Sequence, residues 1–371
     1  MTEVEKKLIK KVILQIKDSV TSDIRIMEIC GTHTHQIARF GIRKLLTSKI
    51  HFVSGPGCPV CVTERGYIDA LITLLEQNNV TVATFGDLLR VQGTCGSLEE
   101  QKSLGKKVLT VYSPEDVLSL AQDYNDKSIV FAAVGFETTA PLYAALIKTA
   151  SMLKIKNLFF LTSLKRMEPA IRFVLGNAKA NIDGILCPGH VAAITGIKPF
   201  LPITTEYHIP AVICGFDEMD LVTSINVLCK QIAGETPVQL INTYKRCVSD
   251  TGNEAALSLM NEVFKISEVS WRGIGKIKDS AMILNGNYEA FDACKKFGIE
   301  VKSNPHPFPH ECECGKVMIG EKTPDMCKNF GCQCTPEHPL GPCMTSSEGA
   351  CSAYYKYGGS EFGSKNYAST R

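Results

Sequence analysis

Between residues 24 and 235 one pattern recurs: a short apolar, β-rich run, a turn containing Gly or Pro, then a helical stretch. Strand candidates are 25–29, 50–54, 80–85, 108–112, 128–134, 157–162, 182–187 and 211–216. Helical stretches lie at 63–77, 114–124, 141–153 and 217–233. Strands this apolar, alternating with helices, are buried on both faces, which predicts parallel sheets covered by helices. PEDVLSLAQDYNDK offers a break, so the expected fold is α/β with two similar parallel-sheet domains. Domain I would span 24–125 and domain II 126–265. After about residue 265 Gly, Pro and Cys displace the pattern. Residues 266–371, with 1–23, are therefore expected to form a smaller, loop-rich unit held by something other than a core. The tail GGSEFGSKNYASTR reads as disordered.

Sixteen cysteines set the chemistry. A small secreted protein would use them as a disulfide framework, but this chain is large. Its N-terminus, MTEVEKKLIKKVILQIKDSV, alternates charges with aliphatics and lacks the apolar core of an export signal. Cys312, Cys314, Cys327, Cys332, Cys334, Cys343 and Cys351 crowd into the last sixty residues, which in a reducing compartment argues for metal or cluster ligation. Cys187, Cys214, Cys229, Cys247 and Cys294 sit among aliphatics and read as small core residues. A net charge of +2 leaves no basic excess for a phosphate backbone, so no nucleic acid is expected as a partner. Apolar runs such as 129–136 are too short to span a bilayer, so the expectation is a cytoplasmic protein without a membrane partner.

Unusual clusters follow the strands: CGTHTH at 30–35, GPGCPVC at 55–61, GFETTAP at 135–141 and PGH at 188–190. Carboxyl-end turns of parallel strands line the binding crevice of α/β folds, so the four are expected to form one site. Cys58 and Cys61 make a C-x-x-C, expected where strand 50–54 turns into helix 63–77. A helix N-terminus favours thiolate, and such a pair either binds a soft metal or cycles between dithiol and disulfide. Cys30 with His33 and His35 offers ligands for iron, zinc or copper. The histidines have two other readings: support or proton relay behind a metal, or hydrogen bonds to a turn capped by Thr32 or Thr34. Glu137 ends an apolar strand, where burial would raise its pKa and suit it to proton transfer; alternatively it opens the following helix. His190 would cap, or donate into the crevice.

The stretch from Cys312 to Cys351 does not resolve into the two tight C-x2–4-C knuckles of zinc modules. Irregular spacing with nearby prolines is easier to reconcile with a [4Fe–4S] cluster, structural zinc being the alternative.

The blocks CGTHTHQIARFGIRKLL, SGPGCPVCVT, GFETTAP, PGHVAAITG, SEVSWRGIG, CGKVMIG, CKNFGCQCTP and CMTSSEGACSAYY, in that order over nearly the whole chain, resemble the signature of the HypD family of hydrogenase maturation proteins. The resemblance implies two related α/β domains around a cleft and a third carrying a [4Fe–4S] cluster on Cys314, Cys327, Cys334 and Cys351. Cys312, Cys332 and Cys343 would be surplus. It implies a scaffold on which the Fe(CN)2CO group of [NiFe] hydrogenases is assembled. Cys30, Cys58 and Cys61 would hold the nascent iron or relay electrons, with His33, His35, Glu137 and His190 beside them. Two partners are implied: a HypC-type chaperone that adds its own cysteine to the iron, and a HypE-type protein that delivers cyanide as a thiocyanate. Such a chain is a redox-active assembly scaffold rather than a conventional turnover enzyme. Two rival readings are a freestanding iron–sulfur thiol/disulfide oxidoreductase and a zinc-stabilised interaction protein.

Overall fold

A computed structural model of the chain describes residues 2–177, 180–303 and 312–358, so nearly all of the tail expected to be disordered lies outside the described residues. The strands are β1 (Ile24–Glu28), β2 (Ile50–Ser54), β3 (Val80–Thr84), β4 (Val108–Thr110), β5 (Ser128–Gly135), β6 (Leu158–Lys165), β7 (Gly184–Pro188), β8 (Ala211–Cys214), β9 (Leu240–Asn242), β10 (Phe264–Trp271) and β11 (Gly275–Leu284). They form two sheets. One is wholly parallel in the order β2-β1-β7-β8-β9. The other runs β10-β11-β6-β5-β3-β4 and is parallel except for the β10–β11 hairpin and its antiparallel join to β6. The α/β class with parallel-dominated sheets agrees with the alternating pattern of the sequence.

The chain divides into two compact units, Met1–Cys58, Ala170–Asn253 and Glu311–Arg371 against Pro59–Pro169 and Glu254–His310. These boundaries correct the expected ones at 24–125 and 126–265. β1 and β2 take β7, β8 and β9 as sheet neighbours, and β3 and β4 take β5 and β6. Strand pairing is settled by contacts far apart in sequence, which no local break can reveal. Each sheet nevertheless has the same doubly wound core, its first four strands in the order 2-1-3-4. In that order the reversal point falls between the first and third strands, where carboxyl ends open a crevice.

Residues 1–23 and 266–371 do not form a unit of their own. Helix α1 (Glu3–Ser19) starts with a capping box of Thr2 and Glu5 and buries Ile9 and Ile16. Both isoleucines join the core of the first unit with Ile24, Ile26, Leu186, Val212 and Ile225. β10 and β11 extend the second sheet instead of forming loops. Their turn needs left-handed backbone, which Gly273 (φ 74) and Gly275 (φ 109) supply. β10 is the edge strand of this sheet, and both hairpin strands keep several exposed residues. Cys187, Cys214 and Cys229 are core residues as expected, whereas Cys247 is exposed and Cys294 partly so.

Candidate thiol site of the first unit

In the first sheet the reversal point lies between β1 and β7, and Cys30 and His190 follow those two strands. Cys30 is the N-cap of helix α2 (Gly31–Arg39), a position the sequence assigned to Thr32 or Thr34. The turn after β2 lies directly on it. A Cβ built on Gly57 would fall 2.5 Å from the Cys30 N and Cα, so only glycine lets the GPGC turn approach this closely. Gly31 N–H donates to the Gly57 carbonyl at 3.2 Å. Cys58 therefore follows a turn seated on Cys30, and it is joined to Cys61 as a disulfide. The following helix starts only at Arg65, so neither cysteine occupies the helix N-terminus expected to favour a thiolate. Cys30 occupies one instead.

Burial, reinforced by the Glu348 carboxylate, pushes the Cys30 thiol up to about 11, against the opposing N–H groups of Thr32 and His33. At neutral pH it is a thiol, and a soft cation binding there displaces a proton. Glu348 received no role from the sequence. It accepts a hydrogen bond from Thr32 Oγ1 at 3.0 Å, and a Cβ on Gly31 would sit 2.5 Å from its carbonyl oxygen. Two residues earlier, Ser346 Oγ lies 3.4 Å from Cys58 Sγ. The segment before Cys351 is thus laid across the start of α2.

The two histidines of α2 diverge. His33 is fully buried, with Nε2 3.0 Å from the Gly215 carbonyl and 3.2 Å from that of Cys214. Burial lowers its pKa to about 4, so it is a neutral imidazole whose Nε2–H donates to the carbonyls. Its Nδ1 is buried without a hydrogen-bond partner. His33 stacks on Phe216 (4.6 Å between centroids), and His190 stacks on Phe216 as well, at 3.7 Å. Phe216, at the end of β8, was not anticipated. Partial desolvation lowers the pKa of His190 too. His35 turns the other way and pairs through Nε2 with Tyr357 Oη at 2.9 Å. Beneath this site Glu28 is fully buried and salt-bridged to Arg43 at 2.8 Å, while Arg43 packs 4.0 Å from the centre of the Tyr354 ring.

Five of the seven rear thiols lie together. Cys312, Cys314, Cys327, Cys334 and Cys351 line one pocket, closed by Val317, Phe330 and Leu340. Cys312 and Cys314 sulfurs are 3.3 Å apart. A Cβ on Gly341 would sit 2.5 Å from the Cys312 sulfur and 2.9 Å from that of Cys314, so the pocket wall there accepts only glycine. Leu340 N–H donates to Cys334 Sγ at 3.4 Å. Cys334 is held up at about 11, chiefly by burial, and the hydrogen bond with Cys314 holds Cys351 well above the ordinary thiol range. Cys332 is exposed and Cys343 is buried in its own helix; neither lines the pocket. Among the described residues no three His, Cys, Asp or Glu converge on a point that would hold a single metal ion. Several soft donors lining an apolar-walled pocket, with amide N–H aimed at sulfur, fit a group with more than one metal atom.

Glu137 belongs to the second unit, at the end of β5. It does not cap the helix Ala140–Met152; its Oε1 accepts from Met167 N–H at 2.9 Å, and its Oε2 is buried without a partner. Burial raises its pKa to about 7 from 4.5. The folded state therefore binds the proton more tightly than the unfolded chain, and stability falls as pH rises between those values. Two and a half pKa units correspond to roughly 3 kcal/mol. Glu137→Gln is expected to match the parent protein at pH 4 and to exceed it by about 2–3 kcal/mol at pH 8. Urea unfolding followed by the fluorescence of Trp271, the single tryptophan and a residue of the same unit, measures this. Equal stability of the two proteins at pH 8 would contradict it.

Fold and site together define an α/β protein with a cysteine-capped helix, a C-x-x-C pair and a thiol-lined pocket. The family model HypD, described as the hydrogenase formation hypA family, matches residues 6–358. The chain is 40% identical over 357 residues to a putative hydrogenase expression/formation protein of Methanocaldococcus jannaschii, covering 95% of this chain and 98% of that protein. It is 38% identical over 341 residues to the hydrogenase maturation factor HypD of Cupriavidus necator (90% and 89% covered). With HypD of Escherichia coli it shares 38% over 342 residues (90% and 89%). The chain belongs to the HypD family of hydrogenase maturation factors.

Proposed function

We propose that this maturation factor is the scaffold on which the Fe(CN)2CO group of [NiFe] hydrogenases is assembled. The observation that carries the reading is the seating of the GPGC turn on Cys30, at the reversal point of the first sheet, with His190 following the neighbouring strand β7. Cys30 is the thiol that takes the nascent iron, releasing its proton as it binds; a HypC-type chaperone supplies a second cysteine. Glu348, half-buried, and the buried, neutral His33 fix the start of α2 and keep Cys30 oriented. His190, partly exposed on Phe216, is the group placed to exchange protons with arriving ligands. Glu137, with a pKa near neutrality, has the same capacity in the second unit.

Cyanide arrives as the thiocyanate of a HypE-type protein. Cleaving its S–C bond consumes two electrons and yields the donor's thiolate and cyanide for the iron. Oxidation of the Cys58 and Cys61 thiols to their disulfide gives two electrons and two protons, which balances that step. The disulfide is then the spent form. The rear pocket would hold a [4Fe–4S] cluster, with Cys327, Cys334 and Cys351 as ligands and Cys314 or its neighbour Cys312 as the fourth, and such a cluster supplies electrons one at a time. Residues 346–351 run from the pocket to Cys58, through Ser346, and to Thr32 at the start of the Cys30-capped helix, through Glu348. No helix among the described residues is long and apolar enough to cross a membrane.

Protein purified without oxygen from cells co-expressing the chaperone and the cyanide donor should show infrared bands in the CN and CO stretching regions. Protein that catalyses dithiol–disulfide exchange on diffusible substrates yet never shows those bands would favour the oxidoreductase reading.

A further inference from the structure

Where the second unit begins, the C-x-x-C turn rests on a buried cation. Lys165 ends β6 with 1% of its surface exposed. Its Nζ donates to Ser163 Oγ at 2.8 Å, Ser163 Oγ lies 3.0 Å from Thr63 Oγ1, and Thr63 Oγ1 donates to the Pro59 carbonyl at 2.8 Å. An ammonium only donates, and the Thr63 proton is committed to Pro59, so Ser163 donates to Thr63. Three hydrogen bonds run in one direction, from Lys165 to the peptide carbonyl between the two cysteines. The turn is also held at Val62, whose carbonyl accepts from the Arg272 N–H at 2.9 Å.

Nothing in the assembly scheme above uses Lys165, yet a lysine removed from water is costly to keep. The titratable groups around it are Glu64 and Tyr67 at the start of the helix Arg65–Leu75 and Glu268 on β10, which with Lys165 line a cavity of about 120 Å³. Trp271 presents its ring 5.8 Å from Nζ, and Arg272 follows it. Burial lowers the Lys165 pKa to about 8, with Glu64 opposing the shift.

We propose that Lys165 sets the redox poise of the Cys58–Cys61 couple, its ammonium and the Ser163–Thr63 hydroxyls favouring the dithiol over the disulfide. The inference rests on the electron-storing role assigned to that pair. When an external dithiol opens the disulfide, the S–S bond breaks and two electrons pass to the two sulfurs. The reductant closes to its own disulfide, and its two protons go to the cysteines, or one to solvent where a cysteine remains thiolate. A positive charge in a low-dielectric interior stabilises that anionic sulfur, whereas the disulfide carries no charge to stabilise.

The test uses the full chain equilibrated in dithiothreitol buffers, the state of Cys58 and Cys61 being read by differential alkylation and peptide mass spectrometry. Lys165→Met should shift the equilibrium about tenfold toward the disulfide, about 30 mV lower in potential. Lys165→Arg, which keeps the charge, should stay near the parent value, and Ser163→Ala, which cuts the chain of bonds, should fall between. Above pH 8, as the ammonium loses its proton, the parent protein should converge on Lys165→Met. A folded Lys165→Met protein with the parent's equilibrium constant at pH 7 would overturn the proposal; if that variant does not fold, an unshifted Ser163→Ala protein overturns it. A parent protein whose disulfide no buffer reduces would refute the electron-storing role itself, a distinguishable result.

Discussion

Cys30→Ala protein, prepared without oxygen alongside its partners, is expected to fold, to keep its iron and sulfide at the rear pocket, and to show no CN or CO stretching bands. Removing one sulfur from a buried N-cap leaves a small cavity, for which about 1 kcal/mol of stability is lost. Cys30 lies in the same compact unit as the rear thiols, so retention of the rear site cannot be assumed from separate domains. It is expected because the contacts that seat residues 346–348 on α2 run through Gly31 and Thr32, not through the Cys30 sulfur. The infrared loss should be complete, since the nearby histidine is turned into the Cys214 and Gly215 carbonyls and offers no replacement thiolate. Cells carrying the variant should make no active [NiFe] hydrogenase. Persistent bands in a partner-bound Cys30→Ala protein would move the iron to Cys58 and Cys61 and end the proposed division of labour.

The second large effect concerns the rear pocket. Cys351→Ala is expected to abolish binding of about four irons and four sulfides, whereas Cys332→Ala should leave both intact. Both thiols belong to the crowded tail, but Cys351 is buried in the pocket wall and Cys332 points to its own Lys328 carbonyl at the surface. The paired result separates a structured cluster site from adventitious iron on cysteine-rich loops. The helix Ala350–Tyr357 also carries Tyr354 over Arg43 and Tyr357 against His35. Loss of its anchoring thiol should therefore lower thermal stability along with metal content. Iron and sulfide analysis with a thermal scan decides the matter. A Cys351→Ala protein with its full complement of iron, or a parent protein holding zinc, would sink the assignment.

Local sequence made the α/β class legible, because apolar runs such as 128–134 and 157–162 are buried on both faces wherever they pair. β10 and β11 were hidden by the same logic. An edge hairpin with Lys and Glu on its exposed face and glycines in its turn has the composition of a loop, and only pairing with β6 makes it sheet. Residues 1–23 carry an amphipathic helix signal, but nothing in them names the sheet that Ile9 and Ile16 will cover.

For the site, the residue types alone determined which chemistry is available: soft sulfur at 30, 58 and 61, and more thiols after 312 than a core requires. Tertiary structure decided how those donors are used. It put the helix N-terminus at Cys30 instead of the C-x-x-C pair, sent His33 and His35 in opposite directions, and brought Glu348 and Phe216 to a place their sequence neighbours do not announce. It also split the four motif-bearing turns between two sheets. The reason is physical: donor softness and acidity belong to a side chain, whereas burial, partner and direction belong to contacts between segments as far apart as β1 and the helix of Cys351.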